Sequence, residues 1–210
     1  MNELENIDDK YVKNVYEKIS KHFSNTRVYT WKWIDNFIYS QKKNSFILDI
    51  GCGNGRNMIF SDYNFIGVDN CNGFLEICRE KNLNVLNANM INIPITSNSF
   101  DAIICIASFH HLSTFELRIQ SLNEIKRLIK SGCDILLSVW SINQPKKTKK
   151  TFYSYGDTIV TYNKFGTIYE RYYYIFKIDE IKNLFKLCGL LLKNHFYDCG
   201  NEIFILTKII

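Results

Sequence analysis

The stretch Phe46 to Gly55, FILDIGCGNG, constrains this chain more than any other. An apolar run meets one acidic residue and then three glycines at alternate positions. Phe46, Ile47, Leu48 and Ile50 suit a strand buried on both faces, as in a parallel sheet, where the apolar run is continuous and does not alternate. Gly51, Gly53 and Gly55 permit positive φ and let a ligand lie against bare backbone. A strand that ends in a glycine turn is the nucleotide-binding corner of a doubly wound α/β sheet. The 210 residues suffice for one such domain with a sizeable core.

The spacing is G-x-G-x-G, not the G-x-G-x-x-G that places a pyrophosphate on a helix N-terminus. Arg56 and Asn57 follow, where a phosphate-binding loop would need a lysine. Asp49 precedes the first glycine, where it repels a pyrophosphate and attracts a cation. The pattern D-x-G-C-G-x-G resembles motif I of class I S-adenosylmethionine-dependent methyltransferases. That resemblance implies S-adenosyl-L-methionine as cofactor, with Asp49, Gly51, Cys52, Gly53, Asn54 and Gly55 around it. It implies a seven-stranded, mostly parallel Rossmann-like sheet, the last strand antiparallel, with helices on both faces.

The rest of the chain supplies elements for such a sheet. A short helix is expected over 55–60. Asn64 to Asp69 reads as a second buried strand. Its terminal Asp69, followed by Asn70, stands where a carboxylate receives ribose hydroxyls. Helix spacing covers Gly73 to Lys81. Val85 to Ala88 reads as a third strand, ending at Asn89 and Met90, where the resemblance to methyltransferases implies a polar side chain for the adenine amino group and an apolar one against the ring. Phe100 to Ala107 is the fourth, and Ala107 closes it at the ligand edge. Phe115 to Lys130 is an amphipathic helix that Ser131-Gly132 ends. Asp134 to Trp140 is the fifth strand. A helix over Asp179 to Leu187 precedes two strands, Leu190 to Asp198 and Ile203 to Ile209, paired through Gly200-Asn201.

The acceptor side reads from other segments. Apolar positions over residues 8–23, and again from Trp31 to Ile38, give two helices of an N-terminal cap within residues 1–44. Arg27 lies between them and is either a clamp for a carboxylate or phosphate, or a surface arginine. Strand four runs into His110 and His111, at the edge where open α/β sheets bind ligands. Adjacent histidines on an extended chain point apart, and no third ligand accompanies them, so no metal site is expected. Trp140 stacks on a base or packs. Residues 141–177 form an insertion on the substrate side. It opens with a basic loop holding Lys146, Lys147, Lys149 and Lys150, either solvated or contacting phosphates. An aromatic strand pair follows, with Arg171 and Tyr172 in it, suited equally to base stacking and to a plain hairpin.

Composition narrows the setting. The net charge of +5 permits a nucleic acid partner without requiring one. Seven cysteines with no C-x-x-C pair read as reduced, buried thiols of a cytoplasmic or nuclear protein. No stretch is long and apolar enough to cross a membrane, and MNELENIDDKY is too acidic and polar for a signal peptide. There is no internal repeat, and the chain reads as one domain, residues 1–210.

The segments HFSNTRVYTW, LDIGCGNGRN, IASFHHL, LLSVWSINQ, GDTIV and YERYYYIFKIDEI occur in the order found in one family. The chain resembles the eukaryotic tRNA wobble-uridine methyltransferases that esterify 5-carboxymethyluridine, which also occur fused to AlkB-type oxygenases. It differs from them at Asn89, where the family has an aspartate, at Tyr162, near a family tryptophan, and in a shorter connector after strand five. The resemblance implies the anticodon loop of tRNA as substrate and a small zinc-binding activator protein as partner. It implies that Arg27 orients the acceptor carboxylate with His110 or His111 bonded to it, and that Trp140, Arg171 and Tyr172 hold the base or ribose. Lys146 and Lys147 would meet the backbone. The alternatives are a small-molecule O- or N-methyltransferase, and a non-catalytic methyltransferase-like RNA-binding subunit.

Overall fold

A computed structural model describes residues 6–148 and 151–208. The elements follow in chain order. A wide helical turn, Asp9–Lys13, leads into α1 (Asn14–Asn25) and α2 (Lys32–Tyr39), and then β1 (Phe46–Ile50) and β2 (Asn64–Asp69). Next come α3 (Asn72–Glu80), β3 (Val85–Asn87), β4 (Phe100–Ile106), α4 (Phe115–Leu128) and β5 (Ile129–Trp140). The hairpin β6 (Gly156–Lys164) and β7 (Thr167–Ile175) precedes α5 (Ile178–Leu187), β8 (Leu190–Asp198) and β9 (Asn201–Lys208).

Seven strands form one sheet in the order β3-β2-β1-β4-β5-β9-β8. β9 runs antiparallel to both of its neighbours, β5 and β8, and is the reversed strand of an otherwise parallel sheet. The alternating faces of the strands supply two cores. Leu48, Ile50 and Ile103 pack with Leu122, Ile125 and Leu128 of α4 and Leu184 and Phe185 of α5. Ile47 and Ile104 pack on the other face with Ile34, Phe37 and Ile38 of α2 and Leu75 of α3. Each fully buried aliphatic side chain contributes roughly 1.5–3 kcal/mol, so helices on both faces are what make the continuous apolar strands stable.

Two local expectations change. Residues 55–60 form a turn and irregular chain and no helix; Asn57 and Met58 are buried there, and the segment is pulled onto the sheet. α4 stops at Leu128 because Ile129 already pairs with Phe100 in the sheet. The irregularity that follows lies between the pairs Phe100–Ile129 and Ala102–Asp134 and is absorbed at Gly132, whose φ is +75°. The aromatic strand pair of the 141–177 insertion is, as expected, a separate two-stranded sheet of β6 and β7, outside the main one.

The order reverses at β1, which has β2 on one side and β4 on the other. A crevice opens at the carboxyl ends of strands flanking such a point. α1 and the β6–β7 hairpin lie over it. Lys164 Nζ donates to the Lys18 carbonyl at 2.5 Å, and His22 Nδ1 lies 2.7 Å from the Tyr162 hydroxyl.

Candidate active site

The crevice is a cavity of about 900 Å³, at the large end of the range for small-ligand sites. Its floor is the turn after β1. Gly51 and Cys52 N–H donate to the Val68 carbonyl at 2.7 and 3.0 Å, bending the chain back over β2. A Cβ on Gly51 would meet Ser108 Oγ at 2.2 Å, and φ there is +71°. Gly53, at φ +54°, has nothing within 4 Å of such a Cβ and lines the cavity, so its bare backbone faces the space a ligand would take. Asn70, Cys71, Met90, Asn89 and Ala107 line the same end.

Two carboxylates stand under this floor. Asp69 accepts from Gly53 N–H and Cys71 N–H, both at 2.9 Å, and faces the cavity from the end of β2. Burial raises its pKa. Asp49 is fully buried and does not line the cavity. Asn57 Nδ2 donates to one of its oxygens at 3.4 Å, and the other has no partner among the described residues. Burial pushes Asp49 up to about 7, because the ionised form lacks the donors that would stabilise it. The bare Gly53 backbone, the Asp69 carboxylate facing the cavity from the end of β2, and an acidic group under the turn fit an amino-acid-bearing nucleoside with a positive charge. S-adenosylmethionine is such a molecule, and Gly51, Gly53, Asp69 and Met90 would hold it.

Other motif residues serve the frame. Gly55 points away from the cavity, where an added Cβ would meet Leu83 Cδ1 at 2.3 Å. Asn54 lines the cavity but spends its amide on the Ser24 and Arg27 carbonyls, at 3.3 and 3.0 Å, tethering the N-terminal segment. Cys52 and Cys78 both donate to the Gly53 carbonyl, at 3.8 and 3.2 Å.

The opposite wall comes from α1, the turn after β4, Trp140 and β7. The two histidines part company. His110 is fully buried, takes the Trp140 N–H on Nδ1 at 3.0 Å and does not line the cavity. His111 lines it. His111 Nδ1 lies 2.8 Å from the Tyr172 carbonyl, which only accepts, so Nδ1 carries the proton. Nε2 is then an acceptor, 3.2 Å from the Tyr16 hydroxyl. Burial depresses His111 to about 3, which keeps the ring neutral. Its two nitrogens are thus engaged with the protein, not aimed at a substrate oxygen.

Strand alternation decides the rest. Arg171 and Tyr173 share one face of β7, and Tyr172 takes the other. Tyr172 points away from the cavity, and its hydroxyl donates to Asp157 at 2.5 Å. Tyr173, not singled out in the sequence, lines the cavity and stacks on Trp140 with centroids 4.2 Å apart and planes 12° apart. Arg171 is 2% exposed and lies behind the wall, among the rings of Tyr16, Phe23, Tyr162 and Tyr173. Arg27 lines the cavity, with its guanidinium 4.6 Å over Phe23 and Nη1 on Thr26. Lys146 is exposed and outside the cavity. The side chain of Lys147, and Lys149 and Lys150, lie outside the described residues. Tyr16 and Phe23 carried a signal, helical spacing, but one that reads equally as core.

Among the described residues, Arg27, Arg56 and Arg171 have no carboxylate within ion-pair distance. The lining carries both signs, with Arg27 and Arg56 on one part of it and Asp8, Asp9 and Asp69 on another, and its histidine, His111, is held by the protein through both ring nitrogens.

Comparison with known proteins now separates the families that share this fold. A methyltransferase-domain family profile matches residues 48–137. The tRNA (carboxymethyluridine(34)-5-O)-methyltransferase of Schizosaccharomyces pombe is 30% identical over 96% of this chain and 97% of its own. The chain belongs to the tRNA carboxymethyluridine methyltransferase family. The corresponding Arabidopsis thaliana protein is 40% identical over 66% of this chain and 34% of its own, and the Mus musculus ALKBH8 enzyme 38% identical over 73% and 23%. The chain therefore spans about a quarter to a third of the length of these two longer relatives. Among solved structures, a Methanosarcina mazei S-adenosylmethionine-dependent methyltransferase superposes with a TM-score of 0.70 at 17% identity, covering 87% of this chain and 99% of that one. A Haloferax volcanii methyltransferase in complex with the Trm112 activator superposes with 0.65 at 12% identity, covering 95% and 99%. These two establish the fold.

Proposed function

We propose that this chain methylates the carboxylate of 5-carboxymethyluridine at the wobble position of tRNA, giving the methyl ester. The observation that carries the reading is the cavity wall: guanidinium groups without carboxylate partners, beside a histidine that is neutral and fully engaged. Such a wall suits an acceptor that arrives already anionic and needs no proton removed. A carboxylic acid of pKa about 4 meets that requirement at neutral pH. An amine or hydroxyl acceptor needs a base, and His111 is in no position to be one.

S-adenosylmethionine, when bound, supplies the methyl group as an electrophile. The chain's own part is positioning and exclusion of water. Arg27, on the cavity surface, orients the acceptor carboxylate. Tyr173, stacked on Trp140 and bonded to Tyr16, makes the wall against which the uridine rests rigid. α1 and the β6–β7 hairpin cover the site. The basic loop around Lys146 and Lys147 meets the tRNA backbone.

The protein works in the cytoplasm, with the nucleus as the second compartment, and pairs with a small zinc-binding activator. The name of the Haloferax complex supports such a partner for this fold. No described helix is long and apolar enough to cross a membrane. The test is incubation with S-adenosylmethionine, the activator and tRNA bearing 5-carboxymethyluridine, followed by nucleoside mass spectrometry. The ester is expected at the wobble position, and Arg27→Ala should lower kcat/KM by roughly tenfold to a hundredfold. Absence of ester from the wild-type reaction overturns the proposal.

A further inference from the structure

Tyr16 sits where three elements meet. Its hydroxyl is 3.2 Å from His111 Nε2, 3.2 Å from the Tyr173 hydroxyl and 3.2 Å from Arg171 Nη1. The proton pattern follows from what each partner can do. Arg171 only donates, so Tyr16 oxygen accepts from it. His111 has its proton on Nδ1, held by the Tyr172 carbonyl, so Tyr16 donates to Nε2. Tyr16 has one hydrogen, now spent, so Tyr173 donates to it. That saturates the Tyr16 oxygen with one bond given and two received.

This hydroxyl is the only polar partner the described residues offer the Arg171 guanidinium, whose Nε is buried without an acceptor. A cation caged by rings and held by one hydroxyl projects its charge through the cavity wall, because no carboxylate cancels it and little water screens it. We infer that Tyr16 is a positioning and specificity-determining residue: it fixes Arg171 behind the wall and His111 as the neutral tautomer, so that the site selects an ionised carboxylate over the isosteric neutral amide. The inference rests on the proposed function and deepens it. Carboxylate and primary amide have nearly the same shape, so charge is what separates them.

The test compares binding of two anticodon stem-loops, one carrying 5-carboxymethyluridine and one the corresponding 5-carbamoylmethyluridine, by fluorescence anisotropy in the presence of S-adenosylhomocysteine. An unmodified stem-loop is the baseline. Wild type should prefer the carboxylate by roughly tenfold to a hundredfold, and Tyr16→Phe should lose most of that ratio. Tyr16→Phe should also move the acid limb of binding to higher pH, since Nε2 loses the donor that favours the neutral ring. The titratable and charged groups facing His111 are Tyr16 from α1, Tyr173 and Arg171 from β7, and His110 beside it. Calorimetry with the cofactor product verifies folding. Arg171→Gln is the second variant and should also abolish the preference. If Tyr16→Phe, or Arg171→Gln where the first does not fold, keeps the ratio and the pH profile, the inference is wrong while the proposed function stands. If wild type binds neither modified stem-loop above baseline, both fall.

Discussion

Single side chains at this site act through what they bury or block. Gly51 is the plainest case. A Cβ there strikes Ser108 and demands a φ that side chains rarely adopt. Gly51→Ala should abolish measurable cofactor binding by calorimetry while the far-UV circular dichroism of the sheet persists. Asp49 and His111 act through protonation, with opposite signs. Asp49 has its folded value raised to about 7, so the stability it contributes is present below the ordinary carboxylate range and is lost as pH rises through 7. His111 is depressed to about 3, so the native state loses stability as pH falls below the ordinary histidine value. Between about pH 4 and 6.5 the two slopes oppose each other. Asp49→Asn removes the first, so urea midpoints of the apo variant should gain on wild type steadily from pH 4 to 7. A constant difference across that range contradicts the assigned burial effect.

At the scale of elements, the cap is fastened by side chains that accept from backbone. Glu17 of α1 takes Asn72 N–H at 2.7 Å and Gly73 N–H at 3.0 Å, capping α3 from a different helix. The carboxylate satisfies two orphan donors and complements the helix dipole. Glu17→Ala should cost about 1–2 kcal/mol in chemical denaturation, and it should speed hydrogen exchange at the N-terminus of α3 more than in the central strands. Asp8 holds the preceding turn in the same way, accepting from Ser113 N–H at 3.1 Å. The β6–β7 hairpin fixes the other side of the cover. One residue of register slip in β7 exchanges Tyr173 for Tyr172 at the wall.

For the whole molecule, the net charge of +5 and the carboxylate-free guanidinium groups make affinity for an anionic polymer strongly salt-dependent. Binding of a tRNA anticodon stem-loop should weaken linearly in log affinity against log salt, whereas cofactor binding should change little over the same range. Much of the architecture was legible from residues alone. The apolar runs at Phe46 to Leu48 and Ala102 to Ile106, the first leading through Asp49 into a glycine turn and the second ending at Ala107, admit few structures other than a parallel sheet covered on both faces. Asp49, Gly51, Gly53 and Asp69 declared the donor side because their spacing is local and the chemistry of that corner is backbone chemistry. The opposite wall of the cavity is assembled from α1, the turn after β4, Trp140 and β7, which lie far apart in sequence. No periodicity distinguishes His110 from His111, since a short turn after the strand, not extended alternation, aims them. Tyr16 reads as one apolar face among others until packing sets its hydroxyl against Arg171. FILDIGCGNG thus determined the sheet and the donor by itself, through backbone geometry that only glycine and buried strands allow. Tertiary structure alone decided which histidine and which tyrosine line the cavity, because that depends on side-chain direction at contacts some 95 and 157 residues apart.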